Sequence, residues 1–283
     1  GSKFDRIEVL GAGMIALTSR KGTLSFYDLS KPPVTTEISK LSIADASGMG
    51  RKGDLLYVLS HQGTMSVVDI TSLKSPKLLG KVNGLSAPWD MRVVGDRAYV
   101  ADSILGLVVL DVSKPLEPKL LKSIATLGGA QDLWIEGEVA YVAVGGEGIE
   151  VFSLEDPDTP KSLSSVAWDS AVVSVSASGS LVWGVNHESI VAMDASDPTN
   201  PVPLATMKTP KWALHVFAKG NVAYVADWTH AQVYYLNRSI KAPSSEISPG
   251  TLYFTSGAKE ATLNVANRGI APLQFSGLSV SDP

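Results

Sequence analysis

Short apolar runs separated by polar breaks recur along most of this chain. Residues 98–118, AYVADSILGLVVLDVSKPLEP, show one instance: an apolar run, a polar break, a second apolar run and a turn with two prolines. Apolar runs this short, bounded by glycine, proline and aspartate, are typical of β-strands, whereas no helical periodicity extends beyond about two turns. The pattern therefore predicts an all-β protein.

The pattern repeats with a period of 41 to 42 residues. One marker is the position that follows the second apolar run, at Asp28, Asp69, Asp111, Ser153, Asp194 and Tyr235. A second marker is a glycine ahead of the first apolar run, at Gly11, Gly53, Gly95, Gly137, Gly179 and Gly220. Each unit divides into four short strands, which at this spacing is typical of a propeller blade. The six units predict a six-bladed β-propeller of four-stranded antiparallel blades.

The propeller is predicted to occupy residues 3–243. Its units are expected at about 3–44, 45–86, 87–128, 129–170, 171–211 and 212–243. The repeat then ends, and residues 244–283 contain a proline-glycine break followed by further short apolar runs. These residues are expected to form a separate β segment. An alternative is that residues 246–254 supply the fourth strand of the last blade, which otherwise has three.

Three segments of the repeat resemble LVIVD repeats, which are β-propeller units found mostly in exported or surface proteins of bacteria and archaea. The segments are residues 98–118, 140–160 and 223–236. The resemblance implies a propeller fold and a bacterial protein that is secreted, periplasmic or on the cell surface. It implies no particular reaction.

The C-terminal segment resembles the first strands of an immunoglobulin-type domain of the ASH/Hydin kind. The matching positions are Ile247, Ser248, Pro249, Leu252, Phe254, Gly257, Leu263, Val265, Asn267, Gly269, Pro272 and Leu273. A full domain of this kind has about 100 residues, so the resemblance implies a partial immunoglobulin-like β segment. Additional domains of the same polypeptide are therefore expected.

Composition and charge exclude several classes of function. The net charge is −4 and no lysine or arginine run occurs, so no nucleic acid partner is expected. No apolar stretch approaches the roughly 18 residues of a membrane span, so no membrane insertion is expected. The chain has no cysteine, which excludes disulfides and thiol nucleophiles. The glycine-rich residues 11–14 and 144–148 lack the strand-then-helix context of a phosphate loop, and no cofactor or metal is predicted.

The aspartate that recurs after the second apolar run is interpreted as a structural residue. In the sequence DVSKP, which begins at Asp111, the carboxylate can accept hydrogen bonds from backbone N–H groups two or three residues later. Such a turn ends the strand ahead of the proline. The residue recurs because every blade needs that turn.

The histidines and most tryptophans are predicted to share one face of the propeller. Loops that enter the first strand of a blade, and loops between its second and third strands, lie at the same end of the blade. We call the residues predicted there the binding face: His61, Trp89, Trp168, His187, Trp212, His215, Trp228 and His230. Exposed tryptophan beside polar groups favours a non-catalytic binding or scaffold module that recognises a protein, peptide or glycan. Alternatively, the loop tryptophans cover the gaps between blades.

A second hypothesis places chemistry at the mouth of the central channel. Asp90, Asp132 and His215 begin innermost strands and could meet as an acid–base or metal cluster, which would make the protein a hydrolase or lyase. Alternatively, both aspartates accept backbone N–H groups at the corner between loop and strand. Trp134 and Trp183 lie within strands and are expected in the cores between blades. Because no catalytic motif occurs, the sequence favours the binding module.

Overall fold

The structure is a computed structural model of the 283-residue chain. It describes residues 6–19, 21–32, 34–227, 231–236, 248–252 and 264–265, the last two ranges for their backbone alone. The described elements are β-strands arranged in six antiparallel sheets. No helix in the described part of the chain is long and apolar enough to cross a membrane.

Blades 1 to 3 each contain four strands in chain order. Blade 1 consists of β1 (Arg6–Gly11), β2 (Met14–Ser19), β3 (Thr23–Lys31) and β4 (Val34–Ser42). Blade 2 consists of β5 (Ala46–Lys52), β6 (Leu55–Ser60), β7 (Thr64–Asp69) and β8 (Lys77–Asn83). Blade 3 consists of β9 (Pro88–Val94), β10 (Arg97–Asp102), β11 (Gly106–Asp111) and β12 (Lys119–Ile124).

Blades 4 to 6 follow the same order, and the sheet of blade 6 gains a fifth strand. Blade 4 consists of β13 (Asp132–Glu136), β14 (Val139–Ala143), β15 (Ile149–Ser153) and β16 (Lys161–Val166). Blade 5 consists of β17 (Val172–Ser178), β18 (Leu181–Asn186), β19 (Ser189–Asp194) and β20 (Val202–Lys208). Blade 6 consists of β21 (Ala213–Lys219), β22 (Val222–Asp227), β23 (Ala231–Tyr235), β24 (Ser248–Leu252) and β25 (Asn264–Val265). The predicted six-bladed propeller of four-stranded antiparallel blades is confirmed.

The recurring glycine marks the hairpin between the first and second strands of a blade. Gly95 lies between β9 and β10 with a φ of 57°, in the left-handed region that glycine adopts without strain. Its equivalents in blades 2, 4, 5 and 6 have φ values between 57° and 60°. The repeat of glycine in the sequence thus follows from the repeat of this turn.

The cores lie between the blades, and each strand contributes alternate residues to the two blades beside it. In β10, Tyr99 packs in a cluster with blade 4, whereas its neighbour Val100 packs in a cluster with blade 2. Five such clusters join consecutive blades from blade 1 to blade 6. This two-sided burial explains why the second strands are apolar at nearly every position.

The recurring aspartate has the predicted turn role. Its Oδ1 accepts a hydrogen bond of 2.8–2.9 Å from the backbone N–H two residues later at Asp28, Asp69, Asp111 and Asp194. Hydrogen bonds from Ser113 lower the pKa of the Asp111 carboxyl, which stabilises the charged acceptor. In blades 2, 3 and 5 the residue is the last of the third strand.

The sixth blade is completed by residues beyond the repeat. β24 pairs antiparallel with β23, and β25 pairs with β24. Residues 248–252 therefore supply the fourth strand of blade 6, in agreement with the alternative that the sequence left open. The rest of the expected immunoglobulin-like segment, residues 253–263 and 266–283, lies outside the described residues.

Candidate functional site

A cavity of about 740 Å³ occupies the centre of the ring. The first strands of blades 1, 2, 3, 4 and 6 contribute most of its wall. Its walls carry charged and aromatic side chains, among them Arg6, Glu8, Asp90, Arg92, Trp134 and Phe217. A cavity of this size with a few convergent polar groups has the character of a ligand site.

The three residues of the predicted channel cluster, Asp90, Asp132 and His215, come together in the structure. Nε2 of His215 lies 3.9 Å from Oδ2 of Asp132. The carboxyl group of Asp132 lies close enough to that of Asp90 to raise its pKa, and both residues are buried. A small residue, Ser174, occupies the equivalent position on blade 5, so His215 of blade 6 reaches Asp132 of blade 4.

Asp90 is held between two arginines. Nη1 of Arg92 donates a 2.8 Å hydrogen bond to Oδ2 of Asp90, and Nε of Arg6 lies 3.6 Å from Oδ1. Burial raises the pKa of Asp90 to about 6, and the neighbouring Asp132 adds to this against the opposing charges of the arginines. Asp90 is therefore a carboxyl that gains and loses its proton near neutral pH.

Asp132 has a second, structural role. Its Oδ2 accepts a 3.0 Å hydrogen bond from the backbone N–H of Val175, which belongs to β17 of the next blade. Its Oδ1 accepts a 3.0 Å bond from the backbone N–H of Leu133. Asp132 thus fits both interpretations: it meets His215 and it also binds backbone N–H groups.

His215 is uncharged near neutral pH. Burial within the channel lowers the pKa of its imidazole well below the ordinary value, and the positive charge of Arg6 contributes to this. The 3.9 Å approach to Asp132 is therefore a contact between a neutral ring and a carboxyl group. In this state the imidazole offers one nitrogen as a hydrogen-bond acceptor and one N–H as a donor to a ligand.

A second layer of the channel combines charge with aromatic rings. The guanidinium carbon of Arg92 lies 5.4 Å from the centre of the Trp134 ring, a cation–π arrangement. Phe217 meets the same ring edge-on at 5.9 Å. Burial raises the pKa of Glu8, which lines the same cavity, against the opposing charge of Arg92. The aromatic rings of Trp134 and Phe217 therefore lie beside the opposite charges of Arg92 and Glu8.

The prediction that Trp134 lies in a core between blades was wrong in part. It packs against the core between blades 4 and 5, yet it also lines the channel. Alternation along a strand places it on the same side as Asp132, two residues earlier, and that signal could have found it. Trp183, by contrast, is fully buried in a core, as expected.

Two histidine–tryptophan pairs lie on the binding face. The His61 and Trp89 rings meet at an angle of 67° with centres 4.6 Å apart. His187 stacks on Trp212 with centres 5.0 Å apart and an angle of 23° between the rings. In each pair, a loop histidine of one blade contacts a tryptophan at the entry to the next blade. Trp212 keeps 59% of its surface exposed.

The remaining members of the binding face differ from these pairs. Trp168 is partly buried and packs against the core between blades 4 and 5, as the alternative interpretation expects of a covering residue. His215 lines the channel. Trp228 and His230 lie outside the described residues. Within the described residues there is no group of three or more histidine, aspartate or glutamate side chains placed to hold a metal ion.

Asp102 is a positioning residue that the sequence analysis did not select. Its carboxylate accepts backbone N–H groups of Ser86 at 2.8 Å and of Ile104 at 3.0 Å. It therefore ties together the two kinds of loop that build the binding face, close to Trp89. Its position directly after the apolar run of the second strand is the sequence signal that could have identified it.

Comparison with known proteins agrees with the fold. The family model of the LVIVD repeat matches residues 87–126, 127–152 and 212–231, which lie in blades 3, 4 and 6. A search of curated proteins finds no match.

Solved structures of similar fold include natural and designed proteins. A functionally unknown protein from Desulfotomaculum acetoxidans DSM 771 has a TM-score of 0.66 at 15% identity, over 80% of this chain and 75% of that chain. U3-55K has a TM-score of 0.69 at 10% identity, over 87% and 80%. The computationally designed Ika8 protein has a TM-score of 0.64 at 13% identity, over 93% and 83%. At these identities the likeness concerns the fold alone, and the chain is a six-bladed propeller that contains LVIVD repeats.

Proposed function

We propose that this protein is a non-catalytic binding or scaffold module that recognises a protein, peptide or glycan through its binding face. The observation that carries the proposal is the exposed Trp212 stacked on His187. His187 covers one side of the indole and restricts its orientation, while the other side is available to a ligand. A large, rigid aromatic surface binds at a low entropic cost.

The positions of the two pairs favour an extended ligand. Trp89 begins blade 3 and Trp212 precedes blade 6, so the pairs are three blades apart around the channel mouth. A polymer that crosses the mouth would contact both pairs, with Asp90 and His215 beneath it. A small molecule confined to the channel would contact neither pair.

A binding screen tests the proposal. The purified chain is applied to a printed oligosaccharide array and to a displayed library of short peptides, beside the variants Trp212→Ala and Leu116→Ala. Leu116 is an exposed apolar residue in the loop between β11 and β12, at the opposite end of the blade, and is the matched control. We expect saturable binders that are lost with Trp212→Ala and retained with Leu116→Ala. Binders that ignore Trp212 would contradict the proposal.

We further propose that the protein acts outside the cytoplasm, with an immunoglobulin-like segment after the propeller as a spacer. The support for the location is the resemblance of the repeats to those of exported proteins. The support for the segment is the pattern of residues 254–273, because residues 248–252 belong to blade 6. Fractionation of a bacterium that expresses the complete gene tests the location. Recovery of the protein only from the cytoplasm would contradict it.

A hydrolase or lyase is the second candidate, because Asp90, Asp132 and His215 meet beside an open cavity. A carboxyl group with a pKa near 6 can transfer a proton near neutral pH, and the neutral imidazole beside it can hold a substrate through a hydrogen bond. The test is turnover of chromogenic esters and glycosides and of uronate polymers. Activity that disappears in a folded variant with Asp90→Asn, Asp132→Asn and His215→Gln would favour the enzyme and contradict a purely binding role.

A further inference from the structure

One position of the second strand is aromatic in blades 2 to 6. The residues are Tyr57, Tyr99, Tyr141, Trp183 and Tyr224. In blades 2 to 5 this side chain points toward the next blade and keeps 0–3% of its surface exposed. Tyr224 of blade 6 keeps 46% exposed. We call the side of a blade that points to the next blade its forward face, and the opposite side its rear face.

The rear face of blade 1 is also exposed where the rear faces of the other blades are buried. Ile7 lies on β1 with 59% of its surface exposed. The equivalent residues on the other first strands are 0–3% exposed, namely Met49, Met91, Leu133, Val175 and Val216. Blade 1 therefore presents a rear face with no blade behind it among the described residues.

Exposure alternates along the second and third strands of blade 6, whereas the second and third strands of blades 2 to 5 are buried on both sides. Phe217 on β21 and Tyr235 on β23 lie on the same forward face as Tyr224 and are nearly half exposed. Among the described residues, no apolar cluster joins blade 6 to blade 1, although clusters join the other five consecutive pairs. We call the space between these two faces the seam.

We propose that the seam receives one further four-stranded blade of the same repeat. Each interface from blade 2 to blade 6 packs the aromatic second-strand residue on the forward face of one blade against the apolar first-strand residue on the rear face of the next. The seam presents one unused forward face on blade 6 and one unused rear face on blade 1. A repeat blade carries both complementary faces, so a single blade covers Tyr224 with its rear face and Ile7 with its forward face.

Polar contacts near the channel support the same occupant. On the forward face of blade 5, the hydroxyl oxygens of Ser174, Ser176 and Ser178 accept hydrogen bonds from backbone N–H groups 42 residues later in blade 6, those of Val216, Ala218 and Gly220. The equivalent positions on blade 6 are His215, Phe217 and Lys219. His215 and Lys219 are thus placed to meet the first strand of an added blade, with Phe217 between them.

The shape of the central cavity also supports an added blade in the seam. Its wall includes Ile7 and Leu17 from the rear face of blade 1 and Phe217 and Ala226 from the forward face of blade 6. The central cavity therefore extends into the seam. An added blade would separate the channel from the seam and enclose the channel cluster on that side.

The absence of cysteine from the chain provides a direct test. Tyr224→Cys, Tyr235→Cys and Ile7→Cys each introduce a single thiol on the seam, whose reaction with a thiol reagent is timed. Tyr99→Cys, in a described interface, is the buried control and Leu116→Cys is the exposed control. Circular dichroism establishes that each variant is folded. We expect the three seam thiols to react at rates close to that of the exposed control.

The decisive step adds the blade. A copy of residues 87–128, the third repeat unit, is fused directly ahead of Lys3, which keeps the spacing of 42 between Gly95 of the copy and Gly11. We expect at least tenfold slower reaction of the seam thiols, with both controls unchanged. Unchanged seam rates in the folded fusion would overturn the proposal.

Two other ways of covering the seam would give different thiol reactivities. Seam thiols that are already as protected as Tyr99→Cys at every concentration of the unfused chain would show that blades 1 and 6 close on each other. Protection that increases with protein concentration would show that a second copy covers the seam. Either result would overturn the proposal of an added blade, and neither depends on the function of the binding face.

Discussion

The backbone N–H of Val175 donates a 3.0 Å hydrogen bond to Oδ2 of Asp132, so a side chain of blade 4 is fixed by the backbone of blade 5. The same Oδ2 faces His215 of blade 6. One carboxylate therefore connects three successive blades at the channel mouth. The geometry of the channel cluster and the packing of the ring depend on each other.

Asp132→Ala should destabilise the fold because it leaves the buried N–H of Val175 without its acceptor. We expect a loss of about 1–3 kcal/mol in the free energy of unfolding, measured by urea titration at pH 7. Asp132→Asn keeps a side-chain oxygen for Val175 and removes a buried negative charge beside Asp90, so its loss should be smaller. Equal losses in the two variants would contradict the role of this hydrogen bond.

Protonation of Asp90 should stabilise the fold. Burial raises its pKa in the folded protein to about 6, above its ordinary value. The stabilising contribution is therefore complete below about pH 4 and is lost as the pH rises to about 6. The loss is on the order of 3 kcal/mol, at about 1.4 kcal/mol per pH unit.

Comparison of the wild type with Asp90→Asn isolates this contribution. The free energy of unfolding of the wild type, relative to the variant, should fall as the pH rises from about 4 to about 6. Differential scanning calorimetry of both proteins at several pH values measures this difference in stability. A difference that is constant over this range would show that Asp90 keeps an ordinary pKa.

His215 should change the stability with pH in the opposite direction to Asp90. Its pKa is lowered in the folded protein, so the unfolded chain binds its proton more readily. The stability it confers is present above about pH 6.5 and is lost as the pH falls. The variant His215→Gln should therefore be less sensitive to acid than the wild type. Equal sensitivity would contradict the burial of an uncharged imidazole in the channel.

Gly48 allows blades 2 and 3 to approach closely. A Cβ atom at this position would lie 2.5 Å from the Cα of Asp90 and 2.7 Å from the carbonyl oxygen of Trp89. Because backbone atoms cannot move aside, Gly48→Ala should cost about 1–3 kcal/mol of stability. Gly80→Ala is the control, since a Cβ there meets nothing within 4 Å. A similar melting temperature for both variants would contradict the close approach.

The repeat made most of the fold predictable. The 42-residue spacing places equivalent residues on equivalent strands, which is why the meeting of Asp90, Asp132 and His215 could be proposed. The turn role of Asp111 followed from local chemistry alone. These features depend on spacing or on neighbours in the sequence, and both can be determined from the sequence alone.

Burial in the last blade could not be predicted in the same way. Residues 98–102 and 223–227 share the sequence AYVAD, yet Tyr99 is 2% exposed and Tyr224 is 46% exposed. The difference arises from the blade that does or does not lie against each tyrosine. Identical local sequence carries no information about that neighbour. The channel position of Trp134 was missed for a related reason, because an apolar residue within a strand fits a core and a channel wall equally well.

We propose that the binding face recognises its ligand through Trp212, which stacks on His187. The direct measurement is calorimetric titration of the strongest oligosaccharide or peptide from the screen into the wild type, Trp212→Ala, Trp89→Ala and Leu116→Ala. We expect a loss of at least about 2 kcal/mol, or roughly thirtyfold in affinity, for Trp212→Ala, a loss for Trp89→Ala, and no change for Leu116→Ala. Unchanged affinity in Trp212→Ala would contradict it.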